Sequence, residues 1–93
     1  MVLRTYVRYC ASMHFEVDVT LNRPIDPDLS RFLESVRRSA NRVVRFRGDD
    51  EVTTVTVEVA GMCKEDAVTG AAAEAARIFP GRRDLRFGEP RPV

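Results

Sequence analysis

The chain lacks tryptophan altogether and contains one histidine, one lysine and two cysteines. A single histidine, His14, with two cysteines far apart in the sequence, cannot supply a catalytic triad, a Cys-His pair or a paired-histidine metal site. Two cysteines are also too few for a disulfide framework, so Cys10 and Cys63 are predicted to be free thiols. The sequence therefore predicts a non-enzymatic protein with no cofactor and no metal.

Long apolar runs are also absent from the chain. No stretch of about 18 apolar residues could span a membrane, and the amino terminus lacks the apolar segment of roughly 7–15 residues that a signal peptide needs. The 93 residues suffice for one domain with a single modest core. These observations predict a cytoplasmic protein with no membrane partner.

The charges of the chain balance almost completely. There are 15 basic and 14 acidic residues, for a net charge of +1, and every basic residue except Lys64 is arginine. Arginine together with abundant alanine and valine is typical of a GC-rich bacterial genome, which weakens any inference from arginine to nucleic acid. A net charge near zero also provides no long-range attraction towards polyanions.

Two runs alternate between apolar and polar residues with period two, which predicts strands with one face on a core and the other exposed. The runs cover residues 13–21 and 53–59 and read MHFEVDVTL and TTVTVEV. Their polar positions, which would form the exposed side of a sheet, are His14, Glu16, Asp18, Thr20, Thr54, Thr56 and Glu58.

A helix is predicted after the first of these strands. Asp26 is the expected N-cap, and Pro27 is the expected first helical residue, since its missing N–H would have no partner there. An apolar stripe at helical spacing follows, and we expect it to face the core. Its members are Leu29, Phe32, Leu33, Val36 and Ala40.

A second strand is predicted over residues 42–47, since β-favouring residues alternate there. Val44 and Phe46 would point inward, and Val43 would point outward with the arginines. Residues 48–51 contain glycine and two turn-favouring acids, so they are predicted to form the hairpin loop before the next strand.

A second helix is predicted over residues 64–79, with Cys63 at the serine position of a capping box. The pair Pro80-Gly81 would end this helix, and residues 84–87 would form a short last strand. The residues of the helix predicted to be buried are Ala67, Val68, Ala71, Ala75, Ile78 and Phe79.

The predicted order of strand-helix-strand-strand-helix-strand resembles the ferredoxin-like fold over residues 13–89. This resemblance implies an α+β sandwich, in which a four-stranded antiparallel sheet has the order last, first, third, second strand and both helices cover one face. Residues 1–12 are interpreted as a leader or as an extra N-terminal strand, and both interpretations stay open. Residues 90–93 are predicted to form an extended C-terminal tail.

Three functional families with this topology do not match the residues of this chain. RNA-recognition domains need exposed aromatic side chains on the central strands, where this sequence has acids, threonines and one histidine. Acylphosphatases need a glycine-containing phosphate loop, and residues 22–27 contain Arg23 but no glycine. Heavy-metal-binding domains need a second cysteine three residues after the first, which residues 61–66 lack.

We interpret the chain as a small interaction module that self-associates as a homodimer through the exposed sheet face or an edge strand. Threonines with complementary acids and arginines suit a hydrogen-bonded interface. The residues predicted for this interface are His14, Glu16, Asp18, Val43, Arg45, Arg47, Thr54 and Thr56.

Two alternative functions stay open from the sequence. The first is a nucleic-acid or anionic-ligand binder, although acidic residues near these arginines favour a solvated surface. The second is a small-molecule sensor with a site at a subunit interface. The arginines that would contact an anion are Arg31, Arg38, Arg82 and Arg83.

Overall fold

The structure is a computed structural model that describes residues 13–39 and 42–93. The prediction for residues 1–12, a leader or an extra strand, lies outside these ranges, and so does Cys10. The elements, in chain order, are β1 (Met13–Leu21), α1 (Pro27–Arg38), β2 (Val43–Gly48), β3 (Thr53–Gly61), α2 (Lys64–Ile78), β4 (Arg86–Phe87) and β5 (Arg91–Pro92).

The strands form one antiparallel sheet in the order β2-β3-β1-β4, and β5 pairs with the same edge of β1 as β4. This order confirms the predicted α+β class and is compatible with the ferredoxin-like arrangement. Both helices contribute to a single core on one face of the sheet. In the described ranges, neither helix is long and apolar enough to cross a membrane.

The core lies under the two central strands, as their alternation predicts. Phe15, Val17, Val19 and Leu21 of β1 are each at most 2% exposed, and Val17 is paired directly with Val57 of β3. Branched side chains pack closely on such a pleated surface. The inward faces of β1 and β3 therefore form the floor on which α1 and α2 pack.

Helix α1 begins as predicted, with Asp26 as the N-cap and Pro27 as the first residue. The Asp26 carboxylate accepts a hydrogen bond of 2.7 Å from the Leu29 backbone N–H, and this bond holds the pKa of Asp26 below its ordinary value. The cap satisfies a backbone donor that the helix itself cannot pair.

Replacing Asp26 with alanine is expected to lower the melting temperature by about 5 °C, the scale of a lost N-cap in a domain of this size. Thermal unfolding at neutral pH followed by circular dichroism measures the change. Asp50→Ala is the matched control, because Asp50 is exposed in the hairpin loop and has no side-chain bond with another described residue. Equal melting temperatures for both variants would contradict the capping role.

Helix α2 packs closely on β3, and Gly70 permits this approach. A Cβ atom at Gly70 would lie 3.3 Å from Cβ of Val59, which explains a glycine in mid-helix despite its poor helix propensity. The predicted capping box at Cys63 is wrong in part, because the thiol makes no cap hydrogen bond. Instead the Asp66 carboxylate accepts a bond of 3.0 Å from the Met62 N–H.

The predicted orientation of β2 is wrong at its start. Val43 is only 5% exposed, whereas Val44 is exposed. The reason is a bulge, since Val43 pairs with Val57 but Arg45 pairs with the adjacent Thr56. The extra residue on β2 reverses the alternation, so Val43 points to the core and cannot belong to an exposed interface.

Two residues predicted for the core lie at its margin. Phe32 of α1 is 44% exposed and contacts the ring of Phe79 at 6.3 Å between centroids, and Val68 of α2 is also exposed. Helix α1 packs mainly over β2, whereas α2 packs over β3 and β1. Because α1 lies towards one side of the sheet, Leu29 and Leu33 are the buried members of its stripe among the residues that the structure describes, and Ala40 lies outside these residues.

The carboxyl-terminal segment belongs to the sheet rather than to a separate tail. The predicted last strand at 84–87 is shortened to β4, and the chain returns to the edge of β1 as β5 after a break at residues 88–90. The Gly88 N–H donates to the Asp18 carbonyl oxygen, at 2.8 Å, across this break. Pro90 is buried there, so residues beyond 89 complete the sheet edge.

Candidate functional site

The sheet surface opposite the helices, called here the open face, is the candidate site. Cross-strand partners point to the same side of a sheet, so the register of the strands assembles its side chains. They are His14, Glu16, Asp18 and Thr20 of β1, Thr54, Thr56, Glu58 and Ala60 of β3, Arg45 and Arg47 of β2, Arg86 of β4 and Arg91 of β5.

Asp18 is the most highly coordinated side chain at the centre of the open face. Its carboxylate accepts a bond of 2.6 Å from the Thr56 hydroxyl and two bonds of 3.2 Å from the Arg91 guanidinium. The bonds from Arg91 hold the pKa of Asp18 below its ordinary value, and Thr56 acts in the same direction, whereas partial burial opposes both. Thr56 is fully buried beneath this contact.

Glu16 lies between arginines from both edges of the sheet. Its Oε1 atom is 2.9 Å from Nη2 of Arg45 on β2 and 3.5 Å from Nη2 of Arg91 on β5. Arg91 therefore contacts Glu16 and Asp18 together. The two carboxylates of β1 are neutralised within the chain, and charged hydrogen bonds of this kind fix the positions of all the partners.

The two ends of the open face carry opposite charge. At one end a row of registered neighbours crosses four strands, and its members are Arg47, Thr54, Thr20 and Arg86. Within the part of the chain that the structure describes, neither arginine of this row forms an ion pair. At the other end Glu58 is paired in register with Glu16, whose carboxylate contacts Arg45 and Arg91, and the Oε2 atom of Glu58 lies 3.4 Å from Nδ1 of His14.

The helix-side arginines predicted to contact an anion do not form a free cationic cluster. Arg31 is paired with Asp28, Arg38 with Glu34 and Arg82 with Asp84. Only Arg83 lacks an ion pair to another described residue. Each pair is local in sequence and exposed, so these arginines are largely compensated by their neighbours.

The structure brings together seven of the eight residues predicted for the interface, all except the buried Val43. It adds Arg91, which sequence reasoning missed because residues 90–93 were read as a tail. A two-residue strand that follows Pro90 has no periodicity to detect. Its position is set by pairing with Glu16 of β1, more than seventy residues earlier.

Among residues 13–39 and 42–93, no three His, Cys, Asp or Glu side chains are placed to hold one metal ion. Cys63 is a free, exposed thiol at the start of α2. Comparisons of the chain with protein-family models, with curated proteins and with solved structures found no match. Function is therefore inferred from the geometry of the open face.

Proposed function

We propose that the chain is a non-enzymatic interaction module that forms a two-fold homodimer through its open face. The observation that carries this proposal is the polarity of the face along its strands. Arg47 and Arg86 at one end have no ion-pair partner among the described residues, and Glu58 with His14 lies at the other end. A surface with opposite charges at its two ends is complementary to a second copy of itself.

The strand geometry supports one particular arrangement of the dimer. Thr54, the neighbour of Arg47, and Glu58 are four residues apart on β3, a distance of about 13 Å along a strand. In this arrangement the two-fold axis lies between the two open faces and runs perpendicular to the strands. The strands of the partner subunit then run in the opposite direction to those of the first protomer. Thr54 of one protomer then lies opposite Glu58 of the partner subunit. Arg47, one strand spacing of about 4.8 Å to the side, can reach the same carboxylate, and the contact occurs twice.

The centre of the open face suits burial in such an interface. Glu16 and Asp18 already accept bonds from Arg45, Arg91 and Thr56, so contact with a partner leaves neither carboxylate unpaired. A buried charge without a partner would be strongly destabilising. The hydroxyls of Thr20 and Thr54, which are only partly buried, can donate or accept across the interface.

The size of the open face sets the expected strength of the dimer. Four strands spaced about 4.8 Å apart and up to nine residues long, at about 3.3 Å per residue, cover on the order of 500 Å². Standard interfaces bury about 800 Å² of accessible surface per partner. A polar face of this modest size supports a dissociation constant in the micromolar range rather than an obligate dimer.

Pairing through the outer edge of β2, which has no strand partner among the described residues, is less well supported than pairing through the open face. The bulge between Val43 and Arg45 interrupts the regular spacing of backbone groups along this edge. Bulges and charged side chains are features that discourage edge-to-edge pairing of sheets. The anion-binding alternative is weakened by the local ion pairs of its arginines, and the cytoplasmic location stays a prediction.

Size-exclusion chromatography with light scattering at about 100 μM, above a micromolar dissociation constant, is expected to return a dimer. Arg47→Glu is expected to raise the dissociation constant by about tenfold or more, because two like-charge contacts replace two favourable ones. Sedimentation equilibrium measures the constant. A wild-type monomer at that concentration would overturn the proposal.

Arg83→Glu is the matched control, because Arg83 has the same charge, lacks an ion pair among the described residues and lies on the loop after α2. This substitution should leave the dissociation constant of the dimer unchanged. The double variant Arg47→Glu with Glu58→Arg should restore dimerisation, since the two residues exchange charges across the two-fold axis. If the double variant is no stronger than Arg47→Glu alone, the proposed orientation is wrong.

A further inference from the structure

A row of four side chains crosses the open face at its arginine end and is called here the cationic row. Its members are Arg47, Thr54, Thr20 and Arg86, which are consecutive partners in the strand register. Adjacent strands are about 4.8 Å apart, so the Cα atoms of the two arginines are about 14 Å apart, with both threonines between them. Both arginines are exposed and both threonines are only partly buried, so a ligand on the open face can approach all four residues.

An arginine on β2 can reach across β3 to β1. Arg45 shows this directly, because its Nη2 atom lies 2.9 Å from Oε1 of Glu16 on β1, and β3 runs between the two strands. The pKa of Asp18 on β1 is lowered mainly by the bonds from Arg91, and the charge of Arg47 lowers it further. The guanidinium of Arg47 is therefore close enough to β1 for its charge to act there.

Arg86 approaches the same place from the opposite edge of the sheet, since it is the direct partner of Thr20 on β1. Neither Arg47 nor Arg86 has an ion-pair partner among the described residues, and the hydroxyls of Thr20 and Thr54 have no hydrogen-bond partner among them. Guanidinium and hydroxyl groups are both donors. The cationic row thus brings together four side chains that can donate to one anionic ligand.

Two carboxylates near the cationic row are already occupied. The Asp18 carboxylate accepts one bond from Thr56 and two from Arg91. Asp49 lines a cavity of about 190 Å³ beside Arg47, but its carboxylate accepts two backbone N–H bonds within the hairpin loop. Such bonds compensate a carboxylate where it stands, so the two arginines of the row keep their attraction for an external anion.

We propose that the cationic row binds a diphosphate group. Arg47 and Arg86 each donate a bidentate pair of bonds to one phosphoryl group, and the hydroxyls of Thr20 and Thr54 donate to the oxygens between them. Two guanidinium groups repel each other at close range, so a ligand with one phosphoryl group for each arginine fits better than a single phosphate. The described side chains of the open face include no aromatic ring on which a base could stack, so the diphosphate itself is the group recognised.

Binding is measured on the protomer, so that it does not depend on the proposed dimer. An exposed site of this kind has a dissociation constant on the order of 1 mM, because water screens surface charges. The ¹⁵N-labelled full chain with Glu58→Gln, which weakens the proposed dimer contact, is titrated with pyrophosphate at constant ionic strength. Saturable amide shifts are expected at Thr20 and Thr54, and orthophosphate should bind at least about tenfold more weakly.

Arg47→Gln and Arg86→Gln, each added to this chain, remove one cation from the row. Each should weaken pyrophosphate binding by about tenfold or more, whereas the matched control Arg83→Gln, at an exposed arginine without an ion pair among the described residues, should not. The proposal is overturned if these amides show no saturable shifts up to about 20 mM pyrophosphate. It is equally overturned if orthophosphate binds as tightly, or if both row variants bind like the unsubstituted row.

One consequence for assembly rests on the proposed function. Arg47 that holds a phosphoryl group cannot also contact Glu58 of the partner subunit, so pyrophosphate at about 5 mM should raise the dissociation constant of the wild-type dimer by about tenfold or more. Sedimentation equilibrium measures the change against sodium chloride of equal ionic strength, which controls for screening. A dimer that pyrophosphate leaves unchanged would show that the ligand does not occupy Arg47 and would overturn the site. A wild type that is already monomeric would refute the dimer alone, since the titration of the protomer decides the site.

Discussion

Replacing Phe15 with alanine is expected to lower the free energy of unfolding by about 3–5 kcal/mol, because the truncation opens a cavity in the core. Phe15 is 2% exposed and lies near the start of β1, on the strand face that forms the core with the helices. Such a loss is a large fraction of the total stability of a domain this small. Urea denaturation at neutral pH measures it from the shift in midpoint.

The matched control is Phe32→Ala, since both substitutions remove the same ring. Phe32 is 44% exposed and packs against Phe79, so its loss should cost about 1 kcal/mol, roughly the value of an aromatic pair with partial burial. Similar losses at the two positions would contradict the placement of Phe32 at the margin of the core. Similar midpoints with a changed slope would instead indicate a change in the denatured state.

Phe15 and Phe32 also illustrate how much of the fold the sequence could predict. The alternation around Phe15 is local, because every second residue of a half-buried strand must point to the core. The stripe containing Phe32 defines the apolar side of α1 but not how far that side is covered. Coverage depends on where α1 packs relative to β2 and α2, which is a tertiary property.

The candidate site follows the same division between local and long-range information. The polar positions of β1 and β3 were predictable from their period, and they do lie together on the open face. The burial of Val43 was not predictable, because one extra residue in β2 reverses its alternation without any glycine to signal a bulge. Arg91 was missed for a different reason, since only pairing with β1 gives its segment a structure.

Replacing Asp18 with alanine is expected to lower the free energy of unfolding by about 2–3 kcal/mol. The Thr56 hydroxyl, which is fully buried and donates to Asp18, would then have no acceptor, and such a group costs about 1–3 kcal/mol. Arg91 would lose the partner that holds β5 against β1. Asp18→Asn keeps an acceptor for Thr56, so it should cost less than alanine in urea denaturation at pH 7.

The difference in the free energy of unfolding between the wild type and Asp18→Asn should also depend on pH, and the lowered pKa of Asp18 sets the direction of this dependence. The bonds from Arg91 and Thr56 lower the pKa of Asp18 in the folded chain relative to its ordinary value of 3.8. A lowered carboxyl pKa adds stability that is complete above the unfolded pKa and is lost as the pH falls through the folded pKa. The stability difference between the two proteins should therefore be constant from about pH 5 to 7 and should shrink below about pH 4. The contributions of carboxylates that contact neither Asp18 nor Arg91 cancel in the difference between the two proteins. A gap that stays constant or widens towards pH 2 would show that the ionised Asp18 carboxylate does not stabilise the fold.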